Sequence, residues 1–550
     1  MIAVQALTPS ALIGVYRQPP SGLACRASAV AIRISRLGVL AVSIFIAASA
    51  QAAELRIGLS ADVTTVDPHF LAAQPNLTTA RHMFESLTDV DEKTRLIPGL
   101  AESWRAVDPT TWEFRLRRGV RFHDGSEMTA EDVVFSLDRP LTIKGSPGGF
   151  ASFVRPIVAK EIVDPYTVRV KTAAPYGALP QDINSILIVS RKAAARASAE
   201  DFDAGRAAVG TGPYRLVRFV RGDRIELARF EGYWGARPAW DRVTLRILPS
   251  DPVRTAGILA GELDVIEHIP TADIARLRAN PSLRLVQTVS WRTIFFHLDQ
   301  ASAEPPAVAA KSGKPLARNP FSDIRVRRAI SMAINRTAIA ERVMEGLAIP
   351  AANLVSPGVF GHNPELKSQP HDPEGARRLL KEAGYPDGFA VTVAAPNNRY
   401  VNDEQVAQAV AQMLARVGIA AKVEAMPLSV YFPRARKHEF AFAMLGWGSF
   451  AGDLALRSLV ASPDPDRGYG AWNWARYANP RLDQMVQQSL AAVDEKRREA
   501  LAREAQAVAM NDLAVIPIHH QLVTWAMRKG LTYTARTDEF TFAHHFRPQP

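Results

Sequence analysis

Cysteine is nearly absent from this chain: one residue, Cys25, stands in 550. It lies ahead of the apolar run Leu37 to Ala48, which Arg26, Arg33 and Arg36 precede and the small-residue pattern Ala50-Gln51-Ala52 follows. A basic segment, a short apolar run and small residues make a secretory signal. The exported chain is therefore expected to begin near Ala53, with residues 1–52 leaving as signal peptide and N-terminal extension. Cys25 leaves with them, which excludes a disulfide, a thiolate metal site and a cysteine nucleophile. A lipid anchor is excluded too, since its cysteine would have to follow the run.

Other absences narrow the function classes. No later stretch reaches the roughly 18 to 20 apolar residues of a membrane span, so a soluble mature chain is expected. A formal charge of +11 would suit nucleic acid, yet the basic residues are scattered among acidic ones with no long Lys/Arg block. Solvated surface is the better reading, and no nucleic-acid partner is expected. The rival class, an exported hydrolase, finds no G-x-S-x-G, no H-E-x-x-H and no Walker-type glycine loop. His519-His520 and His544-His545 are adjacent pairs, which a strand would point to opposite faces. No metal, cofactor or catalytic residue is expected, and the protein is read as a non-enzyme.

What is present is an ordinary globular composition, 47% hydrophobic and 22% charged, long enough for more than one domain. The stretch from Phe389 to Asp453 sets the class. It reads as strand (389–395), loop (396–402), helix (403–417), strand (419–425), short helix and strand (440–445). Val406, Val410, Met413, Leu414 and Val417 form one helical face, with Asn402 as N-cap and Gly418 as stop. Strands joined by helices of this length imply a parallel sheet and an α/β fold. Ligands of such sheets sit beyond the carboxyl ends of the strands, where two loops fall: Pro396 to Tyr400, and Gly446-Trp447-Gly448-Ser449-Phe450. A core tryptophan at a turn is the alternative for Trp447.

Further strands are expected at 55–59, 243–248 and 264–269, and helices at 251–259 and 323–335. A loop with Asp67-Pro68-His69 follows the first strand; it faces a ligand by the strand-end rule, or else is an Asx turn set by Asp67. Thr129 and Asp132 are spaced as a capping box. Asp372 caps a helix opened by Pro373.

The text PGLAESW from Pro98, the block Arg117 to Arg139 (RRGVRFHDGSEMTAEDVVFSLDR), GTGPY at 210–214, EGYW at 231–234, GELDV at 261–265 and VRRAISMAINR at 326–336 resemble, in that order, the extracytoplasmic solute-binding proteins of ABC importers for oligopeptides, dipeptides and nickel chelates. The resemblance spans essentially the whole mature chain. It implies a two-lobed periplasmic-binding-protein fold with a subdomain inserted in the first lobe. On this chain that gives lobe I at 53–288, lobe II at 289–514 and a return to lobe I at 515–550, with crossings around Trp291 to Leu298 and Val515 to Trp525. It also implies a periplasmic monomer that closes about a hinge on a small peptide or peptide-like solute and hands it to ABC permease subunits.

The candidate ligand-binding residues are Asp67, His69, Phe150 and Phe153 from the first lobe and Arg399, Tyr400, Trp447, Phe450 and Asp453 from the second. In peptide-binding members a carboxylate three residues after the pocket tryptophan pairs with the peptide's free amino group, and here that place is Phe450. Either Asp453 takes the role, or the solute has no exposed α-amine and is a blocked peptide, an opine or sugar conjugate, or a metal chelate.

Overall fold

The computed structural model describes residues 53–146 and 148–549. The signal, its cleavage pattern and Cys25 lie outside them. No helix among the described residues is long and apolar enough to cross a membrane.

Twelve strands form one sheet: β1 (Glu54–Leu59), β2 (Tyr214–Val220), β3 (Arg224–Arg229), β4 (Arg242–Ile247), β5 (Val265–Glu267), β6 (Leu283–Leu298), β7 (Val308–Ala309), β8 (Ala348–Pro350), β9 (Ala390–Pro396), β10 (Ala420–Met426), β11 (Phe442–Trp447) and β12 (Ile516–Arg528). Their order is β7-β9-β11-β6-β12-β5-β1-β4-β3-β2, with β10 beside β9 and β8 beside β12. Two flanks result. One comes from residues 54–267, the other from residues 308–447, and the long antiparallel pair β6 and β12 joins them.

As expected, β9 runs parallel to β10 and β11, with α3 (Asp403–Ala415) as the crossover. β1 is parallel to β4 and β5 on the other flank. The sheet is nevertheless mixed, because β6 and β12 pair antiparallel with the flanks as well as with each other. A direct return between the flanks reverses the chain, and antiparallel pairing is what such a return makes.

The registers have one consequence for function. β11 ends with Trp447 opposite Thr293 of β6, while β5 ends with Glu267 opposite Trp525 of β12, itself opposite Val286. The flanks thus aim their carboxyl ends at each other from opposite ends of the long pair, and they converge where β6 loses register between Val289 and Thr293.

A separate four-stranded antiparallel sheet (101–108, 111–116, 157–164, 167–172) forms a module in the first half of the chain. Packed on it is α1 (Ala130–Asp138), whose capping box of Thr129 and Asp132 is present as the spacing predicted. The short α2 (Leu179–Ile183) follows. Late in the chain come α4 (Gly452–Leu459), α5 (Pro480–Ala491) and α6 (Glu495–Asn511). Asp372 caps the helix at Pro373.

Asn402 does not cap α3. It sits at φ 52° without a capping bond, and its amide donates to Val343 O and Thr271 Oγ1. Asp403 binds the entering backbone instead, its Oδ2 accepting from the N–H groups of Arg399 and Tyr400 at 3.0 Å each.

Candidate solute site

The point of convergence is the break in β6, where Ser290, Trp291 and Arg292 leave the ladder. Trp291 N–H donates to Thr537 O at 2.8 Å, tying the break to the C-terminal segment. That segment supplies Glu539, whose carboxylate accepts from Arg292 Nη2 at 2.7 Å and Ser290 Oγ at 2.5 Å. Burial by itself would raise the Glu539 carboxyl. Arg292, then His268 just past β5, outweigh it and hold the group at about 2.

The loop after β9 brings Arg399 to the same place, its guanidinium 5.2 Å from the Tyr400 ring that Arg292 approaches at 6.0 Å. Arg399 is exposed to solvent, yet protein atoms crowd it: burial first, and the Arg292 charge next, push its pKa below the ordinary arginine value. Among the described residues it has neither an ion pair nor a side-chain hydrogen bond; only its backbone N–H is engaged. Arg399 is therefore a cation without a counter-ion beside a pair, Arg292 and Glu539, that is already neutral.

Tyr400 is buried and donates its hydroxyl to Gly446 O at 3.2 Å, locking the β9 loop to the β11 loop. Half-buried Trp447 lies 5.3 Å from Trp472. Phe450 sits edge-on to Trp291 at 4.7 Å, and Trp291 in turn packs on Phe540 at 5.9 Å. Gly448 permits this approach, since a Cβ there would lie 2.5 Å from Trp291 Nε1. Phe450 also lines a cavity of about 250 Å³, together with Phe360, Glu495 and Glu499 from the second half of the chain and Thr94, Gln181 and Asn184 from the first.

Residues 95–456 match the family described as bacterial extracellular solute-binding proteins, family 5, middle region. The dipeptide-binding protein of Escherichia coli K12 is 30% identical over 79% of this chain and 83% of its own. The chain belongs to this family. Heme-binding protein A of Haemophilus influenzae is 29% identical over 78% of this chain and 80% of its own. The solved periplasmic binding protein DppA of Helicobacter pylori, in complex with the peptide STSA, superposes with a TM-score of 0.74 at 22% identity, covering 90% of this chain and 98% of that one. The family's two-lobed fold accounts for the two flanks and the paired strands between them.

Of the residues that the sequence nominated for the family's cleft, Arg399, Tyr400, Trp447 and Phe450 come together at the strand ends. The other five are engaged elsewhere in the protein. Asp67 is buried and held bidentately by Arg139, both contacts 2.7 Å, and its Oδ1 also accepts from His69 N–H as an Asx turn does. His69 is buried with Nε2 2.7 Å from Leu187 O. Phe150 is fully buried in the core; its neighbour Phe153 is half-buried 6.1 Å away. Asp453 is fully buried and paired with Arg498 at 2.7 and 2.9 Å. A carboxylate so satisfied has no lone pair directed at a solute.

Sequence reasoning missed Trp291, Arg292, Glu539 and the cavity wall. Trp291 lay inside the predicted crossing, but nothing in its own neighbourhood marks the break in the ladder. His519 and His520 are both buried on β12, and no cluster of three or more potential metal ligands occurs among the described residues.

Proposed function

We propose that this protein is the periplasmic solute-binding component of an ABC importer. It captures a peptide or peptide-like solute between its lobes by hinge closure at β6 and β12 and delivers it to the permease. The lobes correspond to residues 53–288 with 515–550, and 289–514, and the mature monomer starts near Ala53. Binding, not catalysis, is its activity.

The observation that carries this reading is Arg399: a crowded, solvent-reached guanidinium without a counter-ion, at the strand ends of a solute-binding fold. Its fork geometry suits a carboxylate or a comparable acceptor, and a partner in so crowded a place is worth more than in open water.

A specific observation favours solutes without a free α-amine. Phe450 stands where the amine-pairing carboxylate is expected and packs on Trp291, and Asp453 is spent on Arg498. An ammonium buried beside a phenyl ring would lose its hydration without a counter-charge, which costs several kcal/mol. Blocked peptides, and opine or sugar conjugates with a carboxylate, escape that cost.

Calorimetry and tryptophan fluorescence with matched free and N-acetylated short peptides test this. Saturable binding with the solute recovered unchanged is expected, at least as tight for the acetylated form, and weakened about a hundredfold in Arg399→Ala. Tight binding of the free form only, with the acetylated form not bound, would restore ordinary peptide recognition. Conversion of the solute would make the protein an enzyme.

A further inference from the structure

We propose that α4 couples the Gly446–Phe450 loop to closure of the lobes, with Asp453 and Arg457 as positioning residues that act on α2 across the cleft. The inference rests on the solute-capture reading above.

α4 starts two residues after Phe450. Asp453 and Arg457 are four apart and so share a face, and each heads a polar chain that ends on α2. Asp453 holds Arg498, whose Nη1 donates to Gln181 Oε1 at 2.6 Å. Arg457 donates to Asp182 Oδ2 at 3.1 Å and to the Tyr176 hydroxyl, which itself donates to Asp182. Asp182 and Asp453 are fully buried and Arg498 nearly so. Beside them Gly177 N–H donates to Leu490 O at 2.6 Å, backbone to backbone. Residues 176–182 belong to the first half of the chain and 453–498 to the second, so every one of these bonds crosses between halves except Asp453 with Arg498 and Tyr176 with Asp182.

Gln181 and Phe450, from the first and second halves of the chain, line the same cavity. A solute resting on the Phe450 loop therefore pushes or holds the helix whose next turns grip α2. Buried ion pairs suit such a joint: attraction and desolvation nearly cancel, so the pair specifies one geometry without strongly favouring it. The solute's contacts then decide the balance between open and closed arrangements.

The mature chain has no cysteine, so spin labels at Lys171→Cys and Lys437→Cys, exposed positions in the two halves, report the distance between them in the solute-free protein. A short-distance population is expected in the otherwise native chain. It should fall at least tenfold in Asp182→Asn and Arg457→Gln and return in Arg457→Lys, with the urea midpoint as a control for folding. Should Asp182→Asn not fold, Gln181→Ala reads the other chain. The same distance distribution in the parent and all single variants, short or long, overturns the proposal. That outcome leaves solute capture standing, whereas variant-dependent closure in a chain that binds no solute would sink the capture reading and keep the joint.

Discussion

Asp67 and Arg399 show how the same residue chemistry divides between structure and function. Both lie in loops after strands, but Asp67 is matched by a buried bidentate arginine and Arg399, among the described residues, by no charged partner. Removing one partner of a buried pair leaves an uncompensated charge and costs about 3–5 kcal/mol. Asp67→Asn is accordingly expected to lower the urea unfolding free energy by that order, with solute affinity of the folded fraction unchanged. A loss of affinity at unchanged stability would return Asp67 to the site. Arg399→Ala should show the reverse pattern, since exposed arginines without partners contribute little to stability.

The element that matters most is the break in β6. A strand that keeps its ladder offers only side chains, whereas one that leaves it frees backbone groups and re-aims residues; here Trp291 and Arg292 are turned toward the C-terminal segment and the β11 loop. Gly448 is the loop's side of that contact. Gly448→Ala places a methyl group against the Trp291 indole, so the ring must shift and its packing on Phe450 loosen. Binding measured by calorimetry should weaken tenfold or more while the thermal midpoint moves by only a few degrees. Unchanged affinity would remove Trp291 and Phe450 from the site wall.

At the scale of the whole molecule, buried histidines set the response to acid. Burial depresses His69 and His82 to about 4, and His297, His519 and His520 to about 3, against an unfolded value near 6.5. A depressed folded pKa means that the unfolded chain binds protons first. The contribution of these groups is therefore complete above pH ~6.5 and is lost as pH falls toward 4 and then 3, roughly 3 kcal/mol for a histidine shifted as far as His69. Glu85 opposes this: burial raises it to about 7 against three hydrogen bonds that lower it, so it binds its proton first in the folded state, between about pH 7 and 4.5. Burial also lowers His123, His362, His544 and His545 and raises Asp403 and Asp538; the depressed histidines outnumber the raised carboxylates, and the urea midpoint is expected to drop steadily from pH 7 to pH 4. A midpoint that stays level or rises would show that these rings are protonated in the fold.

The sequence by itself determined what depends on neighbours along the chain. Apolar spacing over 403–414, the capping box at Thr129 and Asp132, the parallel unit from β9 to β11 and the ordered family motifs are short-range patterns, and the fold follows from them. Which polar residues remain free for a solute is decided by partners far away: Arg139 lies 72 residues from Asp67, Arg498 45 from Asp453 and Glu539 247 from Arg292. Sequence places a carboxylate in a loop, but only the tertiary structure brings, or withholds, the opposite charge. Burial makes that difference decisive, because a charge out of water must be paired within the protein, whereas one that water still reaches, as at Arg399, is left free to meet a ligand.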